Sequence, residues 1–174
     1  TVVLSATYRQ SSSADPALYA RDPENRLLAR GPRLRLPAEL IRDQALAMAG
    51  LLSPRLGGPS VYPYQPEKLY DGIVVGTVYP GSRWEQSTGD NLYRRSLYTF
   101  WRRIVGPTMF FDNSPRQFCV IKATRTNTPL QALVTMNETT YVESARAMAQ
   151  RLLLDKKWSA DGERLVQAWH AATG

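Results

Sequence analysis

Four consecutive residues, Thr128-Pro129-Leu130-Gln131, constrain the fold of this chain more than any other stretch, because together they specify a helix start. A threonine hydroxyl accepts from the amide three residues on, the glutamine side chain reaches back to the threonine amide, and proline suits the first helical position, where its missing N–H has no partner to lose. A helix therefore begins at 129. Asn137 marks a break, and beyond it apolar residues recur at helical spacing, with Tyr141, Ala145, Met148 and Leu152 on one face and Val142, Ala149 and Leu153 beside them. This predicts a long helix to about 154, followed by a last one over about 161–172.

The amino-terminal third is punctuated differently. Asp15-Pro16 and Asp22-Pro23 each place a capping acid before a proline, so short helices are expected near 16–21 and 23–30, ended by Gly31-Pro32. Pro37 opens a clearer helix, 37–52, with Glu39 in its first turn and Ile41, Ala45, Met48 and Leu52 on one face. Residues 53–92 are rich in Gly, Pro, Tyr and Ser, and long ordered loops of this kind tend to be functional. Within them Ile73-Val74-Val75 and Thr77-Val78-Tyr79 predict a strand or hairpin. Residues 93–105 fit a helical stripe through Leu97, Phe100, Trp101 and Ile104, but their aromatic and β-branched content favours a strand, which is the expectation taken. A second loop covers 106–118. The fold class expected is mainly α with a small β element (α+β), a helical domain with long ordered loops.

At 174 residues with 43% apolar and 21% charged side chains, the chain can bury one core, and a single domain over 1–174 is expected. Its net charge of +7 rests on 18 arginines and only four lysines. Guanidinium groups pair with carboxylate, sulfate or phosphate, which suggests an anionic partner. The cations are scattered along the chain, however, and this favours ordinary surface charge over nucleic-acid binding. Cys119 is the lone cysteine and His170 the lone histidine, so the chain encodes no disulfide, no metal site and no cofactor motif. No apolar run approaches the ~18 residues of a membrane-spanning helix. Thr1-Val2-Val3-Leu4 opens the chain without an initiator methionine, as a segment from inside a longer protein would.

Several blocks carry a family resemblance: Ser5-Ala6-Thr7-Tyr8-Arg9-Gln10-Ser11-Ser12, Asp22-Pro23-Glu24-Asn25-Arg26-Leu27-Leu28-Ala29-Arg30, Leu36 to Asp43, Gly57-Gly58-Pro59-Ser60, Leu92 to Trp101, and Arg125 to Leu133. In this order they resemble the C-terminal domain of unknown function (1553) found with planctomycete c-type cytochrome domains. The resemblance implies a context, not an activity. It implies one part of a large exported protein, periplasmic or otherwise extracytoplasmic, covalently linked to neighbouring domains that include a haem-binding module and sometimes carbohydrate-binding-like modules. The haem motif Cys-x-x-Cys-His is absent here, so a redox centre would lie in another domain, and the beginning of the family domain is expected to be missing.

Candidate ligand-binding residues fall in two blocks. Arg125, Asn127 and Gln131 sit at or before a helix N-terminus, where free amides and the helix dipole favour an anion or a sugar hydroxyl. The alternative is a well-made cap with Arg125 paired to an acid. Arg9 and Gln10 lie in a polar loop whose alternative is a turn held by serine side chains. Tyr62, Tyr64, Tyr79 and Trp84 could form sugar-stacking platforms. For catalysis, Asp43, Glu85, Asp90 and Asp112 could supply a carboxylate pair, whereas Arg42-Asp43 suits an ion pair better than a site. Arg94, Arg95, Arg102 and Arg103 around Tyr98, Phe100 and Trp101 resemble a single-strand nucleic-acid signature, but such aromatic runs more often form core. The functional expectation is a binding or structural module with an anionic or carbohydrate ligand, in polysaccharide handling. A hydrolase acting on a glycosidic or anionic substrate and a polyanion binder are the alternatives.

Overall fold

A computed structural model describes residues 1–69, 84–101, 106–112, 119, 121 and 125–173. They form two compact units, Thr1–Arg35 and Leu36–Gly174.

In the first unit, α1 (Pro16–Arg21) starts as its sequence specifies: the Asp15 carboxylate accepts from the Ala17 amide at 2.7 Å, and Pro16 takes the first position. The second helix expected, 23–30, does not form. Asp22 instead accepts from the amides of Arg26 (2.9 Å) and Leu27 (2.8 Å), and Arg30 donates to the carbonyls of Asp22 and Pro23, both at 2.7 Å. Those are carbonyls that an α-helix would reserve for amides four residues on. Side chains have taken both ends of the helical bonds, and the segment closes into a loop. Asn25 completes it, donating to the Arg30 carbonyl and accepting from the Arg30 amide.

The Asp22 carboxyl is held below its ordinary 3.8, above all by the Leu27 amide, with Arg26 and the Arg30 charge assisting. Because the folded value is the lower one, the clamp contributes stability above about 3.8, and that stability is lost as pH falls through the folded value. Following the Arg26 and Leu27 amide resonances through an acid titration should give a midpoint below 3.8. A midpoint at or above it would contradict the clamp.

The second unit is built on α2 (Ala38–Ala49), α3 (Pro129–Asn137), α4 (Thr139–Leu154) and α5 (Asp161–Thr173). Helix α2 stops before the expected residue 52 because Gly50 adopts φ 74°, a left-handed cap that leaves its amide on the carbonyls of Ala47 and Leu46. A side chain at Gly50 would also strike Arg151, whose Nη1 bonds the Met48 carbonyl at 2.8 Å. The buried stripe of α2 is Ala38, Arg42, Leu46 and Ala49, with Ile41 and Ala45 packed partly beside it. An arginine therefore occupies the middle of the apolar face.

Helix α3 ends at Asn137 and α4 begins after Glu138, which caps it by accepting from the Thr140 amide at 2.9 Å. On α4 the buried residues are Thr140, Tyr141 and Ser144, displaced from the expected face so that Ala145 is exposed. The core gathers Ala38, Met109, Phe110 and Tyr141, flanked by Trp101, Phe111 and Val134, with the Trp101 and Phe110 rings stacked at 5.9 Å. α2 packs chiefly on α4.

The mainly helical class holds, whereas the strand expected over 93–105 does not appear in its described part. Residues Gly89–Tyr93 and Ser96–Tyr98 are 3-10 turns, and among the described residues only isolated bridges form, Ser53 to Arg94 and Val61 to Thr99. The reason is competition for the backbone. Arg42 takes the carbonyls of Leu92 (2.8 Å) and Arg94 (2.9 Å), and Asp43 takes the Ser96 amide (2.8 Å), so the ladder groups are already bonded to side chains. The strand or hairpin expected at 73–75 and 77–79 lies outside the described residues.

Candidate functional site

Around α3's start the capping box forms as specified, with mutual Thr128 and Gln131 bonds of 3.4 Å each. It is also part of something larger. The Gln131 amide donates to Asp112 Oδ2 (3.0 Å) and Thr126 Oγ1 (2.7 Å), while Asp112 accepts from the Thr126 amide (2.7 Å) and hydroxyl (2.6 Å). Gln131 is 4% exposed. It acts as a bracket holding residue 112 against the helix start, and Asp112 sits at φ 58° to meet it. Arg125 and Asn127 are exposed at the same helix start. Gln131→Ala is expected to lower unfolding free energy by about 1–2 kcal/mol, since it removes two side-chain donors and one cap partner. Urea denaturation measures this, and a loss near zero would mean that water replaces the bracket.

Arg9 and Gln10 are exposed and belong to the first unit. The Arg9 amide bonds the Ser5 carbonyl at 3.1 Å, and the Gln10 carbonyl lies so close to Gly31 that a side chain there would come within 2.5 Å of it. The polar loop is thus held from its backbone, leaving both long side chains outside.

Two buried arginines of the second unit each make three side-chain hydrogen bonds among the described residues. Arg42 is 0% exposed and donates to Leu92 and Arg94 carbonyls and to Ser96 Oγ at 3.2 Å. Burial pulls its pKa down, and Asp43 beside it opposes this. Arg94 is 1% exposed, donates to the carbonyls of Arg55, Gly57 and Pro59, and stacks on the Tyr98 ring at 3.8 Å. The Tyr98 hydroxyl in turn accepts from the Gly57 amide at 2.8 Å. Each guanidinium thus organises a loop distant in sequence.

Of the carboxylates weighed for catalysis, Asp43 accepts from the Ser96 amide and hydroxyl, and Asp112 is bound into the α3 bracket, so both have internal work. Glu85 and Asp90 are exposed. The aromatic platform expectation also changes: Tyr62 stacks on Phe100 at 4.9 Å and meets Trp84 edge-on at 5.1 Å, while the Trp84 indole donates to the Pro63 carbonyl. These rings face one another.

One cluster was not anticipated. The Tyr93 hydroxyl donates to Glu143 Oε1 at 2.9 Å, and Glu143 Oε2 is buried without a hydrogen bond. Tyr64 belongs to it, its pKa raised first by burial and then by Glu143 and Tyr93; burial likewise raises Tyr93. The Tyr93 phenol is thus the donor to a partly buried carboxylate, with Tyr64 beside the pair. Nothing in sequence spacing joins residues 64, 93 and 143.

Among the described residues no three His, Cys, Asp or Glu side chains converge as a metal site would require, and no helix is long and apolar enough to cross a membrane.

The clamps coincide with the blocks that carry the resemblance: the Asp22–Arg30 loop, Arg42 and Asp43, Gly57 to Pro59, Leu92 to Trp101, and the α3 start. A family model described as "Protein of unknown function (DUF1553)", PSD1, matches residues 1–174. The chain belongs to the DUF1553 family. No curated protein and no solved structure matches it significantly. Its membership in DUF1553 therefore names relatives without naming a reaction, and the chemistry has to come from the geometry.

Proposed function

We propose that this DUF1553 chain is a binding or structural module of a larger exported bacterial protein, working beside covalently linked domains in polysaccharide handling. The observation that carries this reading is the inward use of its polar side chains: Arg42, Arg94, Asp43, Asp112 and Gln131 all hold loops in place. A hydrolase needs two carboxylates free to face a substrate. Here two of the four candidates are already committed to loop backbone or bracket bonds. The buried guanidinium groups also subtract from the cationic surface that polyanion binding requires. Arg9, Gln10, Arg125 and Asn127 are exposed and are the candidates for an anionic or carbohydrate ligand, while Gln131 braces the α3 start next to the latter pair.

A glycan array and thermal-shift screen of the full-length protein, sulfated and uronate-bearing sugars included, tests the reading. Saturable binding to a polysaccharide without release of shorter products is the expected result. Release of products would install the hydrolase reading in its place, and no ligand at all would remove the polysaccharide role. Fractionation of cells carrying the intact gene should recover the protein outside the cytoplasm, and recovery in the cytoplasm would overturn the export half.

A further inference from the structure

The first unit holds a cavity of about 390 Å³ between the end of α1 and the loop that follows it. This is within the range of about 300–1,000 Å³ typical of small-molecule sites. Its walls are of two kinds. Tyr19, Leu28 and Pro32 supply apolar surface, and Arg30, Arg33 and Glu24 supply charge, two cations against one anion.

Arg30 is the fixed element. It is 8% exposed, its two terminal nitrogens hold the carbonyls of Asp22 and Pro23, and its guanidinium lies over the Tyr19 ring at 4.5 Å. Tyr19 is anchored in turn, its hydroxyl donating to the Ser12 carbonyl at 2.9 Å. A wall built this way keeps its shape before a ligand arrives, which reduces the ordering cost of binding.

Leu28 supplies the second clue. It adopts φ 53°, left-handed backbone that glycine takes readily and a leucine rarely does. The surrounding loop enforces it, with the Leu28 amide on the Asn25 carbonyl at 3.3 Å and the Asn25 side chain bonded twice to the Arg30 backbone. Glycine would relieve the backbone but remove the apolar wall. Strain held in place by an over-determined loop beside a cavity is the pattern seen at ligand clamps.

We propose that this cavity binds a small molecule with a ring and one anionic substituent, the ring against Tyr19, Leu28 and Pro32 and the anion toward Arg33. Two sources share that chemistry, a uronic acid and an aromatic carboxylate. The site stands independently of the module reading: uronate binding would join the two, and aromatic acid binding would separate them.

Amide resonances of residues 25–33 in the 174-residue protein provide the readout, titrated with glucuronate, benzoate, glucose and benzyl alcohol. At least one anion should give saturable shifts and bind about tenfold or more tighter than its neutral counterpart, the size of one charge-assisted contact. Glucuronate alone identifies the sugar source and benzoate alone the aromatic one. Arg33→Gln should weaken the anion about tenfold with an unchanged melting temperature, because Arg33 is exposed. Leu28→Gly separates site from fold: melting temperature should hold or rise while binding weakens. Absence of saturable shifts with all four compounds overturns the proposal. So does equal binding of anion and neutral counterpart, or wild-type affinity in Leu28→Gly.

Discussion

Arg42→Met is expected to lower the unfolding free energy by about 3–5 kcal/mol, the usual cost of removing one partner from a buried polar set. The methionine would fill much of the space, so the loss is not chiefly one of packing. It comes from what is left behind: the carbonyls of Leu92 and Arg94 and the Ser96 hydroxyl each lose a donor inside the protein. An unsatisfied buried group costs about 1–3 kcal/mol. Asp43, which keeps Ser96, would also lose the buried one of its two cations at 3.8 Å, Arg95 being the exposed other. Arg42→Lys should recover less than half of the loss, because one ammonium cannot span two carbonyls as the guanidinium fork does. The shift in urea midpoint at constant slope measures both. A loss under about 1 kcal/mol, or a lysine variant as stable as the parent, would mean that Arg42 is not the organiser of the 92–96 segment.

How much of this was legible in the sequence follows from the range of the bonds involved. Asp15 capping α1, the Thr128 to Gln131 box, the α3 to α4 break and the extents of α4 and α5 all depend on residues within one or two helical turns, and all are present. The failures share a different cause. The helix expected at 23–30 was lost because Asp22, Asn25 and Arg30 bond the backbone across five to eight residues. The strand expected near 93 was lost to side chains some fifty residues away. Binary patterning counts arginine as polar and so places it at the edge of α2, yet Arg42 can occupy the centre because loop carbonyls satisfy it.

The same reasoning applies to the candidate site. The cap role of Gln131 follows from local spacing and is present, whereas its second bond to Asp112 needs a loop whose path local rules do not give. As large rings in a loop, Tyr62 and Trp84 could form platforms on sequence grounds, which leave their orientation open. Their mutual packing with Phe100 depends on where segments 61–62, 84 and 100 meet. Family membership in DUF1553 was legible for a simpler reason: the blocks that carry it are contiguous, even though the clamps they encode are not.

Arg94→Ala carries the second large expectation. Its guanidinium holds three carbonyls of the 55–59 loop and stacks on Tyr98, which itself holds the Gly57 amide. Gly57 and Gly58 both have positive φ, so the loop has little backbone preference of its own to keep this path. Removing the guanidinium should therefore free the loop first and weaken the whole second. A global loss of about 2–4 kcal/mol is expected from the stranded carbonyls and the lost ring contact. The local effect is more diagnostic. Arg55 is a ready trypsin site, and cleavage after it should accelerate by about 100-fold if loop opening becomes easier by about 2.7 kcal/mol. Tyr98→Phe provides the control: it keeps the ring under Arg94, loses one hydrogen bond, and should cost only about 1 kcal/mol with a small change in cleavage. If Arg94→Ala is destabilised while Arg55 remains as resistant as in the parent, the guanidinium serves the core and the 55–59 loop holds itself. If both variants accelerate cleavage equally, Tyr98 is the true clamp and Arg94 only supports its ring.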